Sequence, residues 1–258
     1  MEKQRYKIVF AFDGTRYAGY QFQANGLAVQ QVIEEKLAEI EAAPVRIFGC
    51  SRTDAGVHAR EMAAHFDLTK PVPPAGLVRG MNARLPPDIR ILSASIVAPD
   101  FNARNDARGK EYRYFLYNAP ILPPHLAPFW AWHGKPLNLA AMREGARHFV
   151  GTQDFAPFAA KPKKPMETTV RTIVSFDILQ HGPRITFIVR GTGFLYKQVR
   201  GMVGCLINIG AGREKPSAVR ELIDNHIRRT ARVPTAPANG LFLWKVFYRR
   251  LNPFAPAS

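Results

Sequence analysis

Two stretches of helical periodicity, one in each half of the sequence, most constrain the fold of this chain. Apolar residues recur three and four positions apart, as in a helix that buries one face. The first stretch comprises Val29, Val32, Ile33, Leu37 and Ile40, and the second Leu195, Val199, Met202, Val203, Leu206 and Ile207. A strand-like apolar run precedes each stretch, at Tyr6–Phe12 and at Arg184–Arg190. Because such helices and strands bury their apolar faces against each other, the order predicts helices packed on sheets in both halves.

The remaining apolar runs complete an α+β pattern. Further strands are predicted at Ile89–Ile96, Glu111–Tyr117, Val170–Leu179 and Leu241–Tyr248, and further helices at Pro74–Ala83 and Leu137–Val150. The turn Asp13–Thr15 before the first long helix is echoed by Arg190–Thr192 before the second. This weak repeat suggests two related halves.

The charge of the chain favours a polyanionic partner. Its 258 residues include 36 Lys and Arg against 20 Asp and Glu, a formal net charge of +16. Nucleic acid is the leading candidate for such a surplus. A membrane is disfavoured because no apolar run approaches the roughly 18 residues of a spanning helix. The first residues lack the apolar core of a signal peptide, so the expected location is the cytoplasm.

The two cysteines, Cys50 and Cys205, lie far apart in the sequence and have no nearby ligand spacing. A disulfide framework and a zinc site are therefore not predicted. We expect both thiols to act as small apolar side chains.

One carboxylate lies in a small-residue loop between two apolar runs. The acid is Asp54, and the runs are Pro44–Phe48 and Met62–Leu68. Arg52 would favour the ionised carboxylate, which is the form that a nucleophile or a base needs. On turn chemistry alone, Asp54 could instead stabilise the turn through its own backbone. The residues by themselves leave both roles open.

The segment Arg52–Ala59 resembles the signature of the tRNA pseudouridine synthase A family. Other blocks that resemble the family follow in its order: Tyr17–Gln23, Val29–Gln30, Asn82–Pro86, Asp100–Arg104, Tyr112–Tyr114, Val199–Gly204 and Gly240–Leu241. The resemblance implies isomerisation of uridine to pseudouridine in the anticodon arm of tRNA, around positions 38 to 40, on a flipped-out base. It implies no cofactor and no metal.

The resemblance also implies an architecture. Two similar α/β-sandwich halves with mainly antiparallel sheets would join around a central basic cleft that holds the active site. The first half, 1–105, would carry the aspartate loop, and the second half would be 106–258. The protein would be a homodimer.

Residue by residue, Asp54 matches the nucleophile of the family. Arg200 matches its ion partner, with Arg52 close by, and Tyr112 matches the tyrosine that stacks on the target base. Leu241 or Leu243 would line the pocket. The residues alone also allow plainer roles, namely an exposed helix position for Arg200 and an aromatic packed on a neighbouring strand for Tyr112.

Scattered cations are predicted to contact tRNA phosphates, although any one of them could simply be solvated. They are Arg79, Arg84, Arg104, Lys110 and Arg113, together with Lys161, Lys163 and Lys164 of a proline-rich loop. His58 and His65 lack a carboxylate or metal spacing and are predicted to be structural.

Three positions depart from the pattern of the family and put site preference and rate in question. Tyr20 stands where tryptophan is usual, Ser51 where glycine often precedes the arginine, and Asn102 where histidine is common. A non-catalytic tRNA-binding protein or chaperone would show the same charge and fold class. Only the residues around Asp54 separate that alternative from an enzyme.

Overall fold

The computed structural model describes residues 3–24, 26–161, 167–226 and 230–249. The chain forms two compact units. Unit 1 comprises the residues up to Arg108 together with Phe242–Arg249. The described residues of unit 2 lie within Gly109–Leu241. The predicted halves, 1–105 and 106–258, differ from these units chiefly in the assignment of the last strand.

The described residues contain ten strands and five α-helices, which confirms the predicted α+β class. In chain order they are β1 (Gln4–Phe12), α1 (Val29–Glu41), β2 (Phe48–Gly49), β3 (His58–Leu68), α2 (Pro74–Asn82), β4 (Ile89–Ile96), β5 (Gly109–Tyr117), β6 (Ala131–Trp132), α3 (Leu139–Arg147), β7 (Gly151–Asp154), β8 (Val170–His181), β9 (Arg184–Gly191), α4 (Gln198–Gly210), α5 (Ala218–Asp224) and β10 (Leu241–Phe247). Most strand pairs are antiparallel, as expected.

In unit 1, β1 lies between β4 and β3 and pairs antiparallel with both. The two-residue β2 pairs antiparallel with β3, and β10 pairs with β3 in parallel. Side chains alternate along β1, so that Tyr6, Ile8 and Phe10 are fully buried while the residues between them are partly exposed. One face of this sheet therefore belongs to the core of the unit, to which α1 also contributes its buried stripe.

In unit 2, strands β5, β9, β8 and β7 form an antiparallel series in that order, and β6 pairs in parallel with β5. A cluster of aromatic rings fills the core: Phe149, Phe155, Phe158, Phe176 and Phe187. Helix α4 is buried on nearly all sides. A Cβ at Gly201 or Gly204 would clash with the backbone carbonyl oxygen of Phe158 or Pro234. Both glycines thus permit close packing of α4 against the neighbouring backbone.

Both cysteines are buried, as expected of small apolar side chains. Burial raises the pKa of the Cys205 thiol to about 12. Among the described residues, no helix combines the length and the apolar character needed to cross a membrane.

Candidate active site

Asp54 begins a tight turn in the loop between β2 and β3. The turn is closed by a backbone hydrogen bond in which the Val57 N–H donates to the Asp54 carbonyl oxygen, at 3.1 Å. Gly56, at the third position, has a φ of +74°, which residues with a side chain rarely adopt. The sequence Asp-Ala-Gly therefore sets the backbone of the turn and leaves the half-buried Asp54 side chain projecting from it.

A second stretch of backbone, residues 14–20, holds this loop in place. The Tyr20 N–H donates to the Thr53 carbonyl oxygen (3.3 Å), and the Gly56 N–H donates to the Tyr17 carbonyl oxygen (3.4 Å). A Cβ at Gly14 would clash with the Val57 carbonyl group. The position of Asp54 is thus fixed by contacts between two loops that are distant in sequence.

The two buried histidines support this region, which is the structural role that the sequence predicts. His58 is fully buried, and its Nδ1 accepts a hydrogen bond from the Gly14 N–H at 3.0 Å. The same Nδ1 lies 3.1 Å from Oδ1 of Asp13, so the expectation that His58 has no carboxylate beside it was wrong. The Nδ1 of His65 accepts one from the Ala103 N–H at 3.1 Å. Burial, with a contribution from Arg5, lowers the pKa of His65 and favours its neutral form.

Tyr20, at the position where the family usually has tryptophan, packs beneath the same loop. It is 3% exposed, and a Cβ at Gly49 would clash with its ring. Burial raises its pKa well above the ordinary value. The buried hydroxyl has no hydrogen-bond partner among the described residues. The ring of Tyr20 is therefore packed in the interior, whereas its hydroxyl group lacks the hydrogen bond that a buried polar group usually has.

The other predicted site residues of unit 1 lie on the loop and on the last strand. Arg52 is exposed, two residues before Asp54, and Leu243 is fully buried in β10. Unit 1 therefore brings Arg52 and Asp54 onto one loop.

Unit 2 carries Tyr112 on β5, where the tyrosine is 6% exposed. Its ring meets the ring of Phe194 edge to face, with centroids 5.0 Å apart and planes at 78°. Such a contact fixes the ring orientation. Phe194 belongs to no motif that sequence analysis singled out, and only its place just before α4 could have pointed to it.

Arg200 is the third residue of α4 and is half-buried, unlike an ordinary exposed helix arginine. Its Nε donates to the Ala236 carbonyl oxygen at 2.7 Å, and the Ala236 N–H donates back to the Arg200 carbonyl oxygen at 3.1 Å. Burial raises the pKa of Tyr114 well above its ordinary value, and the charge of Arg200 offsets part of that rise. Leu241, the first residue of β10, is buried.

A buried ion triad adjoins Tyr112 on β5 and was missed by sequence analysis. Glu111, whose side chain is 1% exposed, accepts hydrogen bonds from the Nε of Arg113 (2.7 Å) and the Nε of Arg190 (2.8 Å). Glu111 and Arg190 lie opposite each other in the register of β5 and β9. Arg113, predicted to contact phosphate, is thus already engaged with a carboxylate.

The other predicted phosphate contacts are dispersed. Arg79, Arg84, Arg104 and Lys161 are exposed and Lys110 is half-buried, whereas Lys163 and Lys164 lie outside the described residues. Among the residues that the structure describes, no group of three or more His, Cys, Asp or Glu side chains could hold a metal ion.

The sequence matches a known protein family over most of its length. The sequence model of a family described as tRNA pseudouridine synthase matches residues 8–106 and 146–249, which is most of the chain and includes the Asp54 loop and Arg200. The chain belongs to the tRNA pseudouridine synthase family. Membership identifies it as an isomerase and confirms the resemblance drawn from the motifs. Tyr112 lies between the two matched segments, so its role stays a prediction.

Individual synthases of this family match nearly end to end. tRNA pseudouridine synthase A of Pelobacter propionicus is 47% identical over 94% of this chain and 98% of its own length. The protein of the same name from Geobacter sulfurreducens is 44% identical over 93% of this chain and 98% of its own length. That from Exiguobacterium sibiricum is 41% identical over 95% of this chain and 97% of its own length. Among solved structures, a chain in the crystal structure of a Cbf5-Nop10-Gar1 complex has a TM-score of 0.33 at 10% identity, covering 78% of this chain and 54% of its own. That similarity is too weak to support an inference.

Proposed function

We propose that this synthase converts uridine to pseudouridine in the anticodon stem-loop of tRNA, around positions 38 to 40, with Asp54 as the nucleophile and the target base flipped out of the stack. The observation that carries the proposal is the family match across the segment where Asp54 lies in a fixed loop. Relatives named tRNA pseudouridine synthase A support tRNA as the substrate.

The reaction breaks the bond between uracil N1 and ribose C1′ and forms a bond between C1′ and uracil C5. The C5 proton is released, and N1 takes up a proton. Composition and oxidation state do not change overall, so the chemistry needs no redox cofactor. The Asp54 carboxylate either adds to C1′ while the uracil turns, or assists a route through a glycal. Both routes require an ionised carboxylate held at C1′, and the clamped loop would restrict its movement.

Residues of unit 2 complete the proposed site. Tyr112 would stack on the extruded base, and its edge contact with Phe194 would keep the ring in one orientation. Arg200 would be the ion partner of Asp54, with Arg52 next to it on the loop. Leu241, or Leu243 of unit 1, would supply an apolar lining. In this proposal the two halves join around a basic cleft, and residues of both act on one nucleotide.

The net charge of +16 supports RNA binding, with Arg79, Arg104, Lys110 and Lys161 among the proposed phosphate contacts. We further propose that the synthase acts as a homodimer in the cytoplasm. Sedimentation of the purified protein tests the dimer, because a monomer at micromolar concentration would contradict it.

Release of tritium from tRNA transcripts labelled at uridine C5 tests the proposed reaction. We expect release by the wild type and a loss of at least about a thousandfold in Asp54→Asn, with tRNA affinity largely retained. Asp177→Asn is the matched control because Asp177 is an exposed aspartate outside the blocks that resemble the family, and its activity should equal that of the wild type. Transcripts in which cytidine replaces each candidate uridine in turn then locate the target.

Two results would reject the proposal in different ways. Absence of release by the wild type, with tRNA binding intact, would favour the non-catalytic tRNA-binding alternative. Equal release by Asp54→Asn and the wild type would retain the enzyme but remove Asp54 as its nucleophile.

A further inference from the structure

Phe48, the first residue of β2, is 55% exposed and is the most exposed large apolar side chain among the described residues of unit 1. It lies two residues before Cys50, where the chain enters the Asp54 loop. The neighbouring residues Val45 and Ile47 are buried, so the outward position of Phe48 follows from the alternation of an extended segment. An aromatic ring is thus presented to solvent at the strand that carries the catalytic loop.

The inner face of this ring is supported by a stack of fixed side chains. Phe48 stacks on His65, with ring centroids 5.1 Å apart and planes 22° apart. His65 is hydrogen bonded to both the Ala103 N–H and the Phe48 backbone, and the ring of Phe101 meets it edge-on. Because burial favours a neutral His65, the support is an uncharged planar ring. Phe48 is therefore held in place on one side and exposed on the other.

Two cations flank this ring. His65 lies opposite Phe48 on one side and opposite Lys7 on the other, so all three side chains share one face of the sheet. Neighbouring strands are about 4.8 Å apart, so the Cα atoms of Lys7 and Phe48 are roughly 10 Å apart across the sheet. The Lys7 ammonium lies 5.0 Å from the ring centroid of Tyr248, and it forms no ion pair with a carboxylate of the described residues. Arg46, also exposed, lies two residues before Phe48. It forms an ion pair with Glu34, in which its Nε is 3.6 Å from Oε1 of the glutamate.

We propose that Phe48 is a stacking platform for an unpaired base of the bound tRNA, and that Lys7 and Arg46 contact the phosphates on either side of that base. The identity of the RNA rests on the proposed function. An aromatic face accepts any base, and flanking cations match a nucleotide strand. Lys7 argues against a protein partner, because lysine is depleted at protein interfaces. The platform would hold a nucleotide other than the one that Tyr112 stacks upon.

Phe48→Leu tests the platform, because it keeps an apolar side chain and removes the π face. We expect the Kd and the KM for tRNA to rise about tenfold with kcat unchanged, and Phe48→Trp to restore binding. Lys7→Gln should instead lower the slope of log Kd against log salt by about one. Leu92→Ala is the matched control, because Leu92 is 50% exposed in the same unit and not aromatic. Its Kd should equal that of the wild type.

Three outcomes would overturn the platform. Phe48→Leu could bind tRNA as tightly as the wild type, Leu92→Ala could weaken binding as much as Phe48→Leu, or Phe48→Leu could change the sedimentation of the free protein, which would assign the surface to a second copy. These results are distinct from failure of the proposed function. A wild type that binds tRNA but forms no pseudouridine would reject the enzyme, while the platform would still be decided by the Kd values.

Discussion

The Asp54 loop of unit 1 and the predicted substrate-binding residues of unit 2 are held in different ways. Asp54 lies in irregular backbone that is clamped by the 14–20 segment through hydrogen bonds and a close approach at Gly14. Tyr112 and Arg200 lie on a strand and a helix whose positions are set by packed side chains. The carboxylate is therefore most sensitive to changes in the backbone, whereas the tyrosine and the arginine are most sensitive to changes in packing.

Gly14→Ala, in the segment that clamps the Asp54 loop, should have the largest effect. The new Cβ would clash with the Val57 carbonyl group and displace the loop that carries Asp54. We expect kcat to fall about a hundredfold, since small displacements of a catalytic group have effects of this size. The free energy of unfolding should fall by about 1–3 kcal/mol. Tritium release and urea unfolding measure the two effects.

Gly76→Ala, inside α2 of the same unit, is its control. A Cβ there would meet only Val72, at 4.0 Å, so the change should raise stability by about 0.5–1 kcal/mol and leave kcat unchanged. Full activity of Gly14→Ala would show that the 14–20 segment does not position Asp54.

Two buried tyrosines, one in each unit, should respond differently to loss of the hydroxyl. The Tyr114 hydroxyl donates to the Pro237 carbonyl oxygen at 3.0 Å, so Tyr114→Phe should lower stability by about 1 kcal/mol. The Tyr20 hydroxyl is buried without a partner among the described residues, so Tyr20→Phe should be neutral or stabilising. Urea unfolding of both variants checks the contrast. A loss in Tyr20→Phe that matches the loss in Tyr114→Phe would mean that the Tyr20 hydroxyl is satisfied in solution.

The smallest effect concerns pH and centres on His65 of unit 1. The pKa of His65 is lowered by burial, and the pKa of Asp67 is lowered by its hydrogen bonds from Arg5. In both cases the unfolded chain binds the proton more readily, so stability falls as pH falls. The loss should begin below about pH 6.5 for His65 and below about pH 3.9 for Asp67. Urea unfolding between pH 7.5 and 5 should show the first loss.

His65→Gln should flatten this pH dependence, whereas His125→Gln, at an exposed position in unit 2, should leave it intact. An unchanged slope in His65→Gln would assign the acid sensitivity to other groups.

The regular elements could largely be predicted from the sequence because their periodicity is local. The residues of α1 that were expected to face the core are mostly fully buried, and the two strands expected at Val170–Leu179 and Arg184–Arg190 form the hairpin of β8 and β9. The elements that were missed are short, such as β7 and α5. Four to seven residues give too few repeats for a periodic pattern to emerge. A short run can also be misleading. The strand-like run Pro44–Phe48 begins regular strand pairing only at Phe48.

The candidate site was predictable only in its local part. The turn at Asp54 follows from the chemistry of Ala55 and Gly56, which the sequence displays directly. The clamp from the 14–20 segment and the edge contact of Phe194 on Tyr112 depend on tertiary packing between distant residues. No spacing in the sequence encodes such contacts, which explains why the motif could be found while its support could not.

The parallel pairing of β10 with β3 has a consequence for synthesis on the ribosome. Unit 1 contains the first hundred or so residues, yet the residues of β10 that pair with β3 are translated only after Gly109–Leu241 of unit 2. While unit 2 is being made, the β3 edge that β10 later covers is open to other strands. Nascent unit 1 should therefore be most prone to mispairing during that interval, and folding of the Asp54 unit should finish last.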